Sequence, residues 1–187
     1  MKTKQSIFKQ NKRQYVVNFY GGPGTGKSTV AAALFAKLKE IGLCAELVCE
    51  YAKDLTWQKS LHVLNNQIKI FGEQQHRLWR VRDQTDIVVT DSPLLLSTIY
   101  NKGRSPALDV LVHEEYRKYI NIDIFLRRTK KYECRGRSQT LDEAKALDEL
   151  VLSKLDQHSE GYYIVDGRLS SIPEILTIIK SVMKKYK

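Results

Sequence analysis

The sequence predicts an α/β fold, a five-stranded parallel sheet with helices on both faces, and three observations carry that prediction. Short β-branched or apolar runs alternate with helical stretches along the whole chain, which favours parallel strands joined by helical crossovers. No internal repeat interrupts the alternation. Glycine, acidic and basic residues recur just after the apolar runs, at the carboxyl ends of strands, where ligands collect in such sheets. The 187 residues suit one α/β domain. That length leaves little room for the separate helical lid domain of a large motor ATPase.

The first strand is Tyr15-Val16-Val17-Asn18-Phe19-Tyr20, and an Ala- and Leu-rich helix runs from Thr29 to Lys39. Ile41-Gly42 stops that helix, and Cys44 to Cys49 forms a second strand ending at Glu50-Tyr51-Ala52. A long helix is expected from about Gln58 to Arg82, with Leu61, Leu64, Ile68, Phe71, Gln75 and Leu78 on one face. Ile87-Val88-Val89 is a third strand, closed by Thr90-Asp91-Ser92-Pro93. Leu94 to Arg104 reads as a connection, and Pro106 opens a helix to about Tyr119. Asp123 to Leu126 is the fourth strand. Thr140-Leu141-Asp142-Glu143 has the form of a capping box, starting a helix that reaches about His158. Tyr162 to Val165 is the fifth strand, ending at Asp166-Gly167, and Ser171-Ile172-Pro173-Glu174 is a second capping-box candidate opening the last helix.

Between the first strand and first helix lies Gly21-Gly22-Pro23-Gly24-Thr25-Gly26-Lys27-Ser28, which fits G-x-x-x-x-G-K-[ST]. Glycines let successive backbone N–H groups converge on phosphate oxygens, and the helix behind adds the positive end of its dipole. Lys27 supplies a mobile charge for the β- and γ-phosphates and Ser28 a hydroxyl for Mg²⁺. The expected nucleotide-binding set is therefore Gly21, Gly22, Gly24, Thr25, Gly26, Lys27, Ser28 and Thr29, with ATP and Mg²⁺ as cofactors.

The other strand ends supply candidates for phosphoryl chemistry. Asp91 follows an apolar strand, where a carboxylate supports the Mg²⁺ shell beside Ser28, although Asp-Ser-Pro is also ordinary turn chemistry. Glu50 is a candidate general base for an attacking hydroxyl, with Asp91 as its competitor. Arg127 to Arg137 gathers Arg127, Arg128, Arg135 and Arg137 into a polar segment able to close over a triphosphate as a lid. Gln75, with Gln74, His76 and Arg77 beside it, interrupts an apolar face and is a candidate for reading the acceptor. Trp57, Trp79, Tyr100 and Tyr132 are candidates for base stacking, each with packing as the plainer reading.

The formal net charge of +10 makes a polyanionic partner such as DNA plausible. Cys44, Cys49 and Cys134 contain no C-x-x-C pair and fit reduced thiols in a cytoplasmic protein. Residues 1–13 form a basic tail without the apolar region of a secretory signal, ahead of a domain spanning 14–187. No stretch is long and apolar enough to span a membrane.

With these residues in place, the chain resembles the small P-loop kinases related to the ribosylnicotinamide kinase domain, in particular their bacteriophage-encoded members. The resemblance rests on Gly21 to Ser28, Glu50-Tyr51-Ala52 and Asp91-Ser92-Pro93. It extends to Gly136-Arg137, Gln139-Thr140, Glu143-Ala144 and Asp148. It implies a nucleoside or nucleotide kinase fold with an Arg-rich lid, Glu50 as base, Gln75 at the acceptor and Arg127, Arg128, Arg135 and Arg137 in the lid. Some phage kinases of this type phosphorylate 5-hydroxymethyluracil within DNA, in the host cytoplasm, and the charge suits that acceptor.

One departure is Thr90-Asp91-Ser92 where deoxynucleoside kinases carry Glu-Arg-Ser. A small acceptor such as ribosylnicotinamide or a nucleoside, a polynucleotide 5′ end, and water in a simple ATPase remain the alternatives. A guanine-nucleotide switch is disfavoured, since Asn101-Lys102 continues as Gly103-Arg104 rather than Asn-Lys-x-Asp.

Overall fold

The structure is a computed structural model that describes residues 13–129, 132 and 140–186. Strands β1 (Tyr15–Tyr20), β2 (Ala45–Val48), β3 (Ile87–Thr90), β4 (Ile120–Arg127) and β5 (Tyr162–Asp166) form one sheet in the order β2-β3-β1-β4-β5. Every neighbouring pair is parallel. The helices are α1 (Lys27–Glu40), α2 (Tyr51–Trp57), α3 (Gln67–Trp79), α4 (Leu96–Asn101), α5 (Pro106–Tyr116), α6 (Leu141–His158) and α7 (Ile172–Lys185).

Alternation along β1 builds the two layers, because successive strand side chains point to opposite faces. Tyr15, Val17 and Phe19 pack with Val30, Leu34 and Leu38 of α1 and Ile175 and Ile179 of α7. Val16 and Tyr20 face the other layer, where α3, α4, α5 and α6 contribute Phe71, Ile99, Val112 and Leu155. The expected architecture, a five-stranded parallel sheet covered on both faces, is what the chain forms. No helix among the described residues is long and apolar enough to cross a membrane.

The expected helix from Gln58 to Arg82 is instead three pieces. Lys59 adopts φ 56° after α2, a 3₁₀ turn covers Leu61–Asn65, and the Asn66 side chain caps α3 by accepting the Lys69 N–H. This restart shifts the buried face to Phe71, Gln74 and Leu78, leaving Leu61 and Ile68 exposed. The first helix begins two residues earlier than expected, inside the glycine loop.

The stretch after Pro93 contains α4, a short buried helix rather than a plain connection. Strand β4 begins at Ile120 because Asn121 and Asp123, polar residues that hide it in the sequence, are paired. Asn18 donates to both at 2.9 Å, while the Tyr116 and Ser159 hydroxyls donate to Asp123.

Thr140 and Glu143 make both bonds of a capping box at α6. Ser171 makes no side-chain cap at α7. Its backbone is already helical at φ −85°, ψ −6°, whereas a serine cap needs an extended backbone to aim its hydroxyl at the first turn.

Candidate functional site

Gly26 caps α1 in the left-handed conformation at φ 99°, and the first intrahelical bond runs from the Val30 N–H to the Gly26 carbonyl. The N–H groups of Lys27, Ser28 and Thr29 therefore have no intrahelical partner and point along the positive end of the dipole. Lys27 folds back so that its ammonium donates to the carbonyls of Gly21 at 2.6 Å and Gly22 at 3.0 Å. Burial lowers the Lys27 pKa, against the pull of Glu50, Asp91 and Asp148. The hydroxyls of Ser28 and Thr29 lie on exposed residues, and that of Thr25 closes the loop on the Gly22 carbonyl.

A second glycine, which the sequence reading placed only at a strand end, braces this loop from behind. A Cβ on Gly167 would stand 1.8 Å from the Thr25 carbonyl oxygen, so only glycine permits the loop after β5 to lie against the phosphate loop.

Glu50 and Asp91 come together. Asp91, 4% exposed, accepts the Glu50 backbone N–H at 3.0 Å, fixing the start of α2 to the end of β3. Burial raises the Glu50 pKa, with Lys27 opposing and Asp91 reinforcing the shift. Tyr100 of α4 lies within electrostatic range of Glu50, and burial with that charge pushes its phenol up to about 12.

Arg128 turns inward onto the loop. It pairs with Asp148 of α6 at 2.8 Å, donates to the Pro23 carbonyl at 2.6 Å and lies 5.6 Å from the centre of the Tyr132 ring. Asp148 accepts the Gly22 N–H with its other oxygen. Sequence reasoning noticed Asp148 only as part of a resemblance. Arg127, in contrast, is 61% exposed at its side chain and pairs with Asp166 at 2.9 Å, which Arg168 also contacts. Arg135 and Arg137 lie outside the described residues, as do Cys134 and residues 1–12 of the basic tail.

On the acceptor side the two candidate residues hold protein groups. Gln75 donates to Glu115 of α5 at 3.1 Å, and Arg77 pairs with Asp54 while donating to the Cys49 carbonyl at 3.2 Å. The amide beneath Glu50 is Gln74, 3% exposed. It accepts the Tyr51 N–H at 3.0 Å and faces the Cys49 carbonyl at 3.4 Å. A period of three then four between Phe71, Gln74 and Leu78 was the available signal, masked by the expected longer helix.

Residues 16–171 match the family model described as an AAA domain, AAA_28. The chain belongs to that family. Among curated proteins, this AAA domain is 22% identical over 197 residues to the signal recognition particle 54 kDa protein of Methanosphaera stadtmanae. The match takes in 96% of the chain but 41% of the relative, so the chain spans about two-fifths of that protein's length.

Among solved structures, deoxyadenosine kinase from M. mycoides, with dCMP and a flexible dCDP bound, aligns with a TM-score of 0.54 at 15% identity. The alignment covers 89% of this chain and 99% of that one. A mutant of the APS kinase CysC from Mycobacterium tuberculosis aligns at 18% identity with a TM-score of 0.49, covering 90% and 98%. By its alignment with deoxyadenosine kinase, the AAA domain described here shares the α/β architecture of a P-loop kinase.

The loop of this AAA domain fits a nucleoside triphosphate, having a dipole-backed cradle, a cation within it and no acidic residue in the first turn of α1. Among the described residues no group of three or more His, Cys, Asp and Glu is placed to hold a metal by itself. Mg²⁺ is held through one or two protein oxygens together with the substrate's phosphates. Ser28 and Asp91 are the residues that would hold it.

Proposed function

We propose that this chain is an ATP-dependent kinase that transfers the γ-phosphoryl group to a hydroxyl of a nucleobase, nucleoside or nucleotide, with 5-hydroxymethyluracil in DNA as the favoured acceptor. The observation that carries the reading is Glu50, a carboxylate of raised pKa, anchored through its own N–H on Asp91 and in electrostatic contact with Lys27.

In the proposed reaction the Glu50 carboxylate takes the proton of the acceptor hydroxyl, whose oxygen attacks the γ-phosphorus. The bond from that phosphorus to the β,γ-bridging oxygen breaks, and ADP leaves with the electron pair. Mg²⁺, when bound, neutralises charge on the β- and γ-phosphate oxygens. Lys27 leaves the Gly21 and Gly22 carbonyls to meet the same oxygens, and the backbone N–H groups of Gly24 to Thr29 hold the phosphates. Arg127 and Arg128, together with Arg135 and Arg137, supply the lid cations. Arg77 acts on the acceptor through the segment around Glu50, by its contacts to Asp54 and the Cys49 carbonyl, and Gln75 is the proposed acceptor contact on the outer side of α3.

The +10 charge supports a polymeric acceptor. A target base within a duplex has to be flipped out, at a cost of a few kcal/mol that contacts to flanking phosphates offset. The test supplies γ-labelled ATP with DNA containing hydroxymethyluracil, with free nucleosides and nucleotides, and with ribosylnicotinamide. Label in the hydroxymethyl group supports the favoured acceptor. Label that stays in ATP or appears only as free phosphate overturns the kinase reading.

A further inference from the structure

The insertion between β2 and β3 carries a stripe that the phosphoryl-transfer reading leaves unused. Lys53 and Trp57 are four apart on α2 and share one face of the helix, and Glu50 occupies its N-cap position. Seven residues of helix rise about 10 Å, which puts the Trp57 ring some 10 Å along the axis from the candidate base. Trp57 is 71% exposed, and Leu61 and Ile68 beyond it are 50% and 67% exposed. Single exposed apolar residues need no explanation, but a tryptophan with two large aliphatic neighbours in one short segment does.

The surroundings of these residues are cationic. Residues 51–82 hold six Lys and Arg against two acids, and Lys53 is close enough to Glu50 to act on its charge. Lys59, two residues past Trp57, adopts φ 56° at the end of α2. A residue with a Cβ is strained there and glycine would be relaxed, so this lysine stands against the local backbone preference.

We infer that the Lys53–Trp57 face of α2, with Lys59 just beyond the end of the helix, is a docking track for the single-stranded polynucleotide that flanks the acceptor nucleotide. Trp57 stacks a neighbouring base, while Lys53 and Lys59 meet the backbone phosphates. The inference deepens the proposed function and rests on its placement of the acceptor at Glu50. Aromatic stacking with adjacent cations is how proteins hold single strands without reading sequence. Charge decides the occupant: a protein partner needs an acidic surface to match, whereas a nucleic-acid strand supplies bases for the ring and phosphates for the lysines together.

The test uses the full chain carrying Trp79→Phe, so that Trp57 is the remaining tryptophan of the two in the sequence. An unmodified oligothymidylate is titrated without ATP, following tryptophan emission, while anisotropy of a dye-labelled oligonucleotide reports affinity separately. Stacking quenches Trp57, and Trp57→Ala lowers affinity about tenfold. Lys59→Gly melts no lower than wild type because it relieves the backbone, yet it binds more weakly and lowers the slope of log affinity against log salt by roughly 0.7.

Absence of quenching, or a Lys59→Gly protein that binds like wild type with the same salt slope, overturns the track. Quenching without phosphate transfer to any acceptor leaves the track standing and removes the kinase reading. Transfer to hydroxymethyluracil DNA with unchanged binding in Trp57→Ala does the reverse.

Discussion

Asp148 stands 126 residues from Gly22 in the chain, and its carboxylate accepts the Gly22 backbone N–H while holding the Arg128 guanidinium with its other oxygen. The two side chains are 16% and 12% exposed, so the pair is shielded from solvent and salt. Through it, α6 is tied directly to the entrance of the phosphate loop.

Removing one partner of such a pair leaves the other charge buried without compensation. Asp148→Ala and Arg128→Ala are each expected to weaken ATP binding, and the double variant to lose less than the sum. A double-mutant cycle on the ATP dissociation constant, read by calorimetry, should show a coupling of roughly 0.5–3 kcal/mol. Additive losses would mean that the two side chains act separately.

Glu50 must be ionised to accept a proton, and its pKa is raised, chiefly by burial. The acid limb of kcat/KM is therefore expected above the ordinary carboxylate range, with activity falling as pH drops through the raised pKa. Glu50→Gln should abolish that limb together with transfer while leaving ATP binding in place. A wild-type profile flat down to the pKa of an ordinary glutamate would remove Glu50 as the base.

Gln74 and Gln75 are adjacent but differ in what they hold. Gln74→Ala strands the Tyr51 N–H beneath Glu50, a loss of about 1–3 kcal/mol, while the Cys49 carbonyl keeps its bond from Arg77. Gln75→Ala gives up a contact to Glu115 and should cost under about 0.5 kcal/mol. Urea unfolding of both variants measures the difference, and equal costs would show that the buried amide has no special part.

His113 of α5 and His158 of α6 stack with ring centres 4.4 Å apart. Burial lowers both pKa values, and Arg117 and Lys154 add to the effect against Asp109. Because the folded pKa values lie below the unfolded ones, the unfolded chain binds more protons on acidification. The stabilisation is present above about pH 6.5 and is lost as pH falls through the folded values. Melting temperature measured against pH should decline more steeply in wild type than in His158→Gln. Parallel curves would show that the pair does not titrate in this way.

The parts of the site that were legible in sequence share a property. The phosphate loop is eight consecutive residues between a strand and a helix, so its chemistry and its position in the fold are written together. Glu50 and Asp91 were visible as strand-end carboxylates because the apolar runs before them are unambiguous. Strand β4 was read as starting at Asp123 because Asn121 looks like a loop residue until Asn18 arrives to pair it. The long helix failed for a related reason: a strict spacing of three and four continued across Asn65-Asn66, where side-chain capping restarts the helix in a new phase.

By itself the sequence determined the α/β class, the alternation of strands and helices, and the phosphate loop, because these depend on periodicity and on contacts between near neighbours. Tertiary structure alone decided that Gly167 packs against Thr25, that Asp148 closes on Gly22 and that Gln74 rather than Gln75 lies under Glu50. Those relationships join residues from different strand ends and helices. They exist only once the parallel sheet has brought its carboxyl edge together around the loop from Gly21 to Ser28.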